Sequence, residues 1–291
     1  MRPKRRPVKE NRVSILSIQS NVLSGHVGNA AACLPLHRLG YEVWPLDTVV
    51  LSNHPALTPP TGRRQRPDEL IELIDGLAAR GLFGSCSGLL SGYLGDAENG
   101  SAVTYAADAI KSENPDALIF CDPVMGDNGK IYVNGDILGF YKDNLVKKAD
   151  IIAPNAFEAG LLVDGEVNSR DQAISAIQHL RNQNPSIVIL TGVERANGVE
   201  LENFIGFADG VWSVTTPKIE VLSHGAGDLL SALFVGRYLA TENALTSFRD
   251  AVSGVFATLQ YAASHDCEDL PVVAAQEEFL NPKQRFDPGP V

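Results

Sequence analysis

Along the chain, short β-branched apolar runs exchange repeatedly with longer stretches of helical spacing. Arg12–Ser20 (RVSILSIQS) has the density of a buried strand. Gly28–Leu39 follows with apolar Ala31, Leu34 and Leu39 on a helical period, stopped by Gly40. Glu42–Leu46 predicts a second strand, Asp68–Arg80 a helix, Ser87–Ser91 a strand, and Asp96 caps a long helix to Glu113. Ala117–Cys121, Asp150–Ala153 and Ile187–Leu190 read as further buried strands. Glu202–Ala208 and Val211–Thr215, joined by Asp209-Gly210, form a hairpin pattern. Helices over Gly225–Leu239 and Leu245–Ser264 complete the series. This exchange predicts an α/β fold, a mostly parallel central sheet with helices on both faces. Residues 52–67 break it with Pro55, Pro59, Pro60, Gly62, Pro67 and three arginines. They read as a small flap over a site, and a plain surface loop accounts for them equally well.

Composition narrows the class. The 291 residues fit one large α/β unit, and 44% apolar with 20% charged residues is ordinary for a chain that buries a core. There is no internal repeat, so one domain is expected over 12–286. The net charge of -11 argues against nucleic acid as a partner, because an anionic surface repels phosphate backbones. Residues 1–10 carry a local +4, leaving -15 for the rest, and residues 1–11 are read as a disordered basic arm. No run is long enough to span a bilayer, no apolar leader stands near the start, and Cys33, Cys86, Cys121 and Cys267 form no CxxC pair. Free thiols without an export signal point to the cytoplasm.

Five strand-to-loop junctions carry candidate chemistry. Ser223-His224-Gly225-Ala226-Gly227-Asp228 opens a helix whose first turn offers unpaired N–H groups and a partial positive charge, which suits a phosphate. A carboxylate there would repel that anion, yet it makes sense as a base toward an attacking hydroxyl; a helix-capping role is the alternative. The GK[ST] tail of a Walker A loop is missing. Cys121-Asp122-Pro123-Val124-Met125-Gly126-Asp127 leaves a buried strand with two carboxylates placed to hold Mg²⁺, or simply turns on Asp-Pro. In Asp150–Glu158 (DIIAPNAFE), Asn155 and Glu158 share one face of a helical first turn. They suit a capping box, a metal–phosphate site, or both. Ser20 through Asn29 (SNVLSGHVGN) and Ser91–Gly95 (SGYLG) supply the last two junctions. Singly each has a bland explanation. Together they place Gly, Ser, Asp, Asn and Tyr at one edge of a parallel sheet.

Gly225–Asp228 resembles the anion-hole and catalytic-Asp motif of ribokinase-like sugar and vitamin kinases. Ser17–Ala31, Ser52–His54, Ser91–Gly95, Cys121–Asp127, Ala149–Leu162 and the tail Val272–Phe279 are similar to pyridoxal kinases within that clan, and the likeness covers roughly 12–286. The resemblance implies a single-domain ribokinase-like fold that phosphorylates the 5′-hydroxyl of pyridoxal with ATP. It implies Asp228 as base and Gly225, Ala226 and Gly227 as stabilisers of the transferring phosphoryl group. Asp122, Asp127 and Glu158 would handle the metal, and Asp122, Asn155 and Thr191 the ATP phosphates. Ile219, Glu220 and Val221 would pass near the adenine. Ser20, Val27, Val49, Pro55, Tyr93, Gly225 and Asp228 would meet the vitamer. Members use Mg²⁺, often with a monovalent cation such as K⁺, and are typically homodimers.

Three positions depart from the pattern of relatives. Pro55 stands where many have threonine, removing a hydrogen bond worth about 1 kcal/mol. Gly192 follows Thr191 where some carry serine, and Ala226 replaces threonine. These bear on vitamer preference and ATP affinity. A hydroxymethylpyrimidine or other vitamin-alcohol kinase of the same fold is the near alternative. A non-catalytic pyridoxal phosphate binder is the distant one. An oxidoreductase is disfavoured, since no GxGxxG follows the first strand. His26, His54 and His224 lie near the expected site, and local hydrogen bonding is favoured over catalysis for the first two.

Overall fold

The computed structural model describes residues 13–291 apart from Leu57, Asn128, Asn134, Leu222 and Ser223. The basic arm, the first residue of the predicted opening strand and Ser223 of the glycine segment lie outside the described residues.

In chain order, β1 (Ser14–Val22), α1 (Asn29–Arg38), β2 (Glu42–Leu51), β3 (Gly62–Arg64) and α2 (Pro67–Ala79) form the first third. After a 3₁₀ turn come β4 (Cys86–Ser91), α3 (Ala97–Glu113) and β5 (Leu118–Cys121). A small hairpin, β6 (Gly126–Asp127) and β7 (Lys130–Ile131), leads to α4 (Gly135–Phe140). That helix runs through a π-helical turn at Tyr141–Leu145 into α5 (Val146–Lys148). The next elements are β8 (Ile151–Ile152), α6 (Ala156–Leu162), α7 (Arg170–Arg181), β9 (Ile187–Glu194), β10 (Glu200–Phe207) and β11 (Gly210–Pro217). The chain closes with α8 (Ala226–Thr241), α9 (Ala244–Ser264), α10 (Gln276–Leu280) and β12 (Gly289–Pro290).

Ten strands form one sheet in the order β12-β11-β10-β9-β8-β5-β4-β1-β2-β3. The interior from β2 to β9 is parallel, and antiparallel strands finish both edges. Successive side chains of a strand point to opposite faces, and the buried runs use both. Leu16, Leu89, Ile119, Ile152 and Val188 join one apolar layer with residues of α2, α3, α6 and α7. Ile15, Leu90, Phe120, Ile151 and Ile189 join the other with α1, α8, α9 and α10. The expected α/β architecture with helices on both faces is therefore what forms.

Two local differences have plain causes. β2 runs to Leu51, beyond the predicted Leu46, because its ladder with β1 continues to Val22 and Val49–Leu51 also pair with β3 inside the turn-rich segment. The helices between β7 and β9 lie beyond the pattern set out above. α7 does carry a readable stripe of buried Ala173, Ala176, Ile177 and Leu180, whereas α4 and α5 are short pieces broken by the π-helical turn.

Candidate active site

The carboxyl ends of the parallel strands step along one edge, tied by main-chain bonds between successive loops. Gly92 N–H donates to Ile18 O at 3.1 Å, Asp122 N–H to Ser91 O at 2.9 Å, and Ala153 N–H to Cys121 O at 3.0 Å. All five junctions singled out in the sequence open at this edge, where ligands of open α/β sheets gather.

Glycines allow α8 to approach the loop after β1. Gly225 caps α8 with φ 90°, and a Cβ there would meet His26 O at 2.0 Å. Gly28 caps α1 with φ 56° and ψ -132°, and its N–H donates to Asp228 Oδ2 at 2.8 Å. Asp228 thus stands in the first turn of α8 with one oxygen oriented by the opposite loop. Burial pushes its carboxyl up to about 6, against the lowering effect of the Gly28 bond.

The acid pair beside it is deeper. Asp122 is 6% exposed and accepts a 2.9 Å bond from Ser231 Oγ. Glu158 is 3% exposed and completes a capping box with Asn155: Asn155 Oδ1 accepts from Glu158 N–H, and Glu158 Oε2 from Asn155 N–H, each at 2.9 Å. Glu158 Oε1 also accepts from Met125 N–H at 2.9 Å, and Asn155 Nδ2 donates to Gly126 O at 2.9 Å. The loops after β5 and β8 are therefore cross-tied through these two side chains. Burial, then the nearby charges of Glu158 and Asp228, raise Asp122 well above the usual carboxylate range. Burial raises Glu158 to about 8 despite its N–H donors. Asp127 is exposed on the β6–β7 hairpin.

No ion pair to Asp122, Glu158 or Asp228 is found among the described residues. Nor do three His, Cys, Asp or Glu side chains there converge as a metal cage. Buried acids without a cationic neighbour fit Mg²⁺, which takes one or two carboxylates and fills its remaining positions with water and substrate phosphates.

The remaining predicted residues lie on the following elements. Thr191 bridges Asn155 in parallel register, its N–H bonded to Pro154 O at 3.1 Å. Gly192 follows with φ 77°, its N–H donating to Asn203 Oδ1 at 3.1 Å. Ile219, Glu220 and Val221 form the irregular segment after β11. Ser20, Val27 and Tyr93 are half-buried, and Val49 is buried on β2. Ser20 backs directly on Gly28, and Thr48 Oγ1 donates to Tyr93 O at 2.6 Å. Pro55 is exposed in the loop between β2 and β3. In that same loop His54 stacks on His224, ring centres 4.2 Å apart, which brings the loop against the glycine segment of α8.

Three features escaped the sequence reading. Gly28 holds Asp228, and Ser231 holds Asp122 from the helix turn after Asp228, an i+3 spacing that was visible in principle. The third is Tyr132, just past β7: it is 53% exposed, yet its hydroxyl pKa is raised by partial desolvation and then by the charges of Glu158, Asp127, Asp122 and Asp228.

Comparison with known proteins identifies the family. The family described as phosphomethylpyrimidine kinase matches residues 91–272. Pyridoxal kinase PdxY of Deinococcus radiodurans is 38% identical over 282 residues, covering 94% of this chain and 95% of the relative. Its counterpart in Rubrobacter xylanophilus is 37% identical over 278 residues, covering 94% and 96%. Pyridoxal kinase from Leishmania donovani, solved with ADP and pyridoxine, superposes with a TM-score of 0.90 at 27% identity, covering 96% of this chain and 99% of that one. With a fold, an acid-lined strand edge and full-length relatives in agreement, the chain belongs to the pyridoxal kinase family.

Proposed function

We propose that this enzyme transfers the γ-phosphoryl group of ATP to the 5′-hydroxyl of pyridoxal, with Asp228 accepting the hydroxyl proton. The observation that carries the reading is the position of Asp228. It lies in the first turn of α8 beside the Gly225–Gly227 backbone, and its carboxylate is oriented by Gly28 N–H at 2.8 Å. A helix start with a glycine cap stabilises charge spread over the phosphoryl oxygens, and a base of pKa about 6 is ionised at neutral pH yet basic enough to take a proton. Phosphoryl transfer needs little covalent help from protein, so positioning and charge stabilisation supply most of the rate.

In this reading Asp122, Asp127 and Glu158 would hold Mg²⁺, which would supply neutralisation of phosphate charge. Asn155 and Thr191 meet the ATP phosphates, and Ile219–Val221 border the adenine. Ser20 bonds the pyridine ring, Tyr93 flanks it, and Val27 and Val49 give it an apolar wall. Pro55, exposed and without an N–H or a side-chain hydroxyl, offers its ring for apolar contact and no hydrogen-bond donor. A monovalent cation such as K⁺, a homodimer and a cytoplasmic location complete the proposal. The four free cysteines and the absence, among the described residues, of a helix long and apolar enough to cross a membrane are consistent with it.

The test is ADP release from MgATP with pyridoxal, on the wild type and on Asp228→Ala. Turnover should depend on pyridoxal and fall about a hundredfold or more in the variant, the scale of a lost general base. The matching family is described as phosphomethylpyrimidine kinase, so the second reading, a hydroxymethylpyrimidine kinase, is tested by running that alcohol alongside. Faster turnover on it than on pyridoxal would replace the vitamer assignment.

A further inference from the structure

Beneath the loop after β1 lies a buried polar chain that the reaction as described does not use. Asn29, the first residue of α1, is 2% exposed and bonded at both ends of its amide. Its Oδ1 accepts from Ser17 Oγ at 2.7 Å, and its Nδ2 donates to Asp47 Oδ1 at 2.7 Å. Ser17 accepts in turn from Gln19 Nε2 at 2.9 Å, and Asp47 Oδ2 from Asn21 Nδ2 at 3.0 Å. Ser17, Gln19 and Asn29 are all at most 2% exposed. Buried polar groups are costly unless bonded, so a connected set of this kind holds its members in one arrangement. It fixes the start of α1 to β1 and β2 at once.

The residue held next to it is Gly28. That glycine has a positive φ and no room for a Cβ, which would lie 2.1 Å from Ser20 O. Ser20 O fills the space a Cβ would need, and the anchored Asn29 holds the residue that follows. Its N–H points to Asp228 Oδ2 at 2.8 Å, one residue from the anchored Asn29.

We infer that Asn29, anchored by Ser17 and Asp47, is a positioning residue for the reaction: it aims the Gly28 N–H that orients the Asp228 carboxylate toward the acceptor hydroxyl. Asn29 touches neither substrate in this scheme, and the inference rests on the reading of Asp228 as the base. A shift of the carboxylate by about an ångström can cost up to a hundredfold in rate, so an anchor one residue away from the aiming N–H has a large lever.

A double-mutant cycle tests this, using Asn29→Ala, Asp228→Ala and the pair, with kcat and both KM values measured. Asn29→Ala should lower kcat about tenfold or more while KM for MgATP stays within about twofold. Added to Asp228→Ala it should cost almost nothing further, since the residue it acts through is gone. Amide hydrogen exchange over residues 24–30 should quicken in both single variants. If Asp228→Ala retains wild-type turnover, the base assignment fails first. If Asp228→Ala is crippled and Asn29→Ala multiplies that loss by its full single-variant factor, or raises both KM values with kcat intact, the positioning role is overturned and Asn29 is merely structural. Should Asn29→Ala not fold, Ser17→Ala removes the 2.7 Å donor to Asn29 with a smaller change of volume. It should lower kcat about two- to fivefold with the same non-additivity, on the scale of one buried hydrogen bond. A folded Ser17→Ala with unchanged kcat would refute the inference.

Discussion

The two halves of the cleft are built on different terms. On the side proposed for metal and phosphate, Asp122 and Glu158 are almost fully buried, and the loops after β5 and β8 are tied to each other through Asn155 and Glu158. On the side proposed for the vitamer, Ser20, Val27 and Tyr93 are only half-buried, and Pro55 stands in the open. There the loop between β2 and β3 reaches α8 through the His54–His224 stack. Charge stabilisation gains from rigid groups in a dry setting, whereas a ring must enter and leave. On the proposed reading, catalytic power is concentrated in loops that bind each other, and selectivity in loops that meet across a stack.

The strongest way to break this contrast is to remove the buried charge. Asp122→Asn keeps an acceptor for Ser231 but loses the anion, and turnover should fall about a hundredfold, as for other charge-stabilising groups. Thermal unfolding of the metal-free variant should nevertheless rise by a few degrees, because an uncompensated buried carboxylate has gone. Glu158→Gln should do the opposite to stability. Its NH₂ group would face a main-chain N–H, leaving one donor unpaired at about 1–3 kcal/mol, visible as a lower unfolding midpoint. A rise in stability for both variants would mean that Glu158 serves the metal more than the loops.

Proton linkage sharpens the comparison. Asp228, at about 6, should give kcat/KM an acid limb that rises with pH and levels off above that value. Stability should run the other way. Between the ordinary carboxylate range and about 8, the folded protein binds more protons than the unfolded chain, through Asp228 and Glu158. Metal-free protein should therefore lose unfolding temperature as pH rises from about 5 to 9, and MgATP should flatten the slope. Differential scanning fluorimetry across that range reads both curves. The smallest effect belongs to the open side. His54→Ala removes a stacked pair worth about 0.5–1.5 kcal/mol, so KM for pyridoxal should rise about two- to tenfold with KM for ATP little changed.

Much of this was legible in the sequence because parallel strands buried on both faces leave unmistakable runs, such as Ile187–Leu190, and end in polar loops. The motif around Asp228 and the Asn155–Glu158 box were readable from local spacing alone. Contacts between distant segments were not. Nothing within SNVLSGHVGN says that Gly28 N–H faces a carboxylate, since that bond depends on how α8 packs on α1. The length of β2 escaped for a similar reason: Val49–Leu51 are held as strand by β3 and, at Val50 and Leu51, by Asn21 and Val22 of β1. Glu158 illustrates a different gap. Its spacing announced a cap, but that the same carboxylate would reach Met125 N–H required the third dimension.

The bond between Gly28 and Asp228 joins residues 200 positions apart. During synthesis, therefore, the sheet strands β1, β4, β5, β8 and β9 all exist before the base does. Their second face, with Leu90, Phe120 and Ile189, waits for α8 and α9 to cover it. A ribosome must deliver nearly the whole chain before the catalytic edge can close, and the growing polypeptide carries an oily, unsheltered surface until then. Competence is consequently acquired in one late step, and chaperone demand should peak just ahead of it.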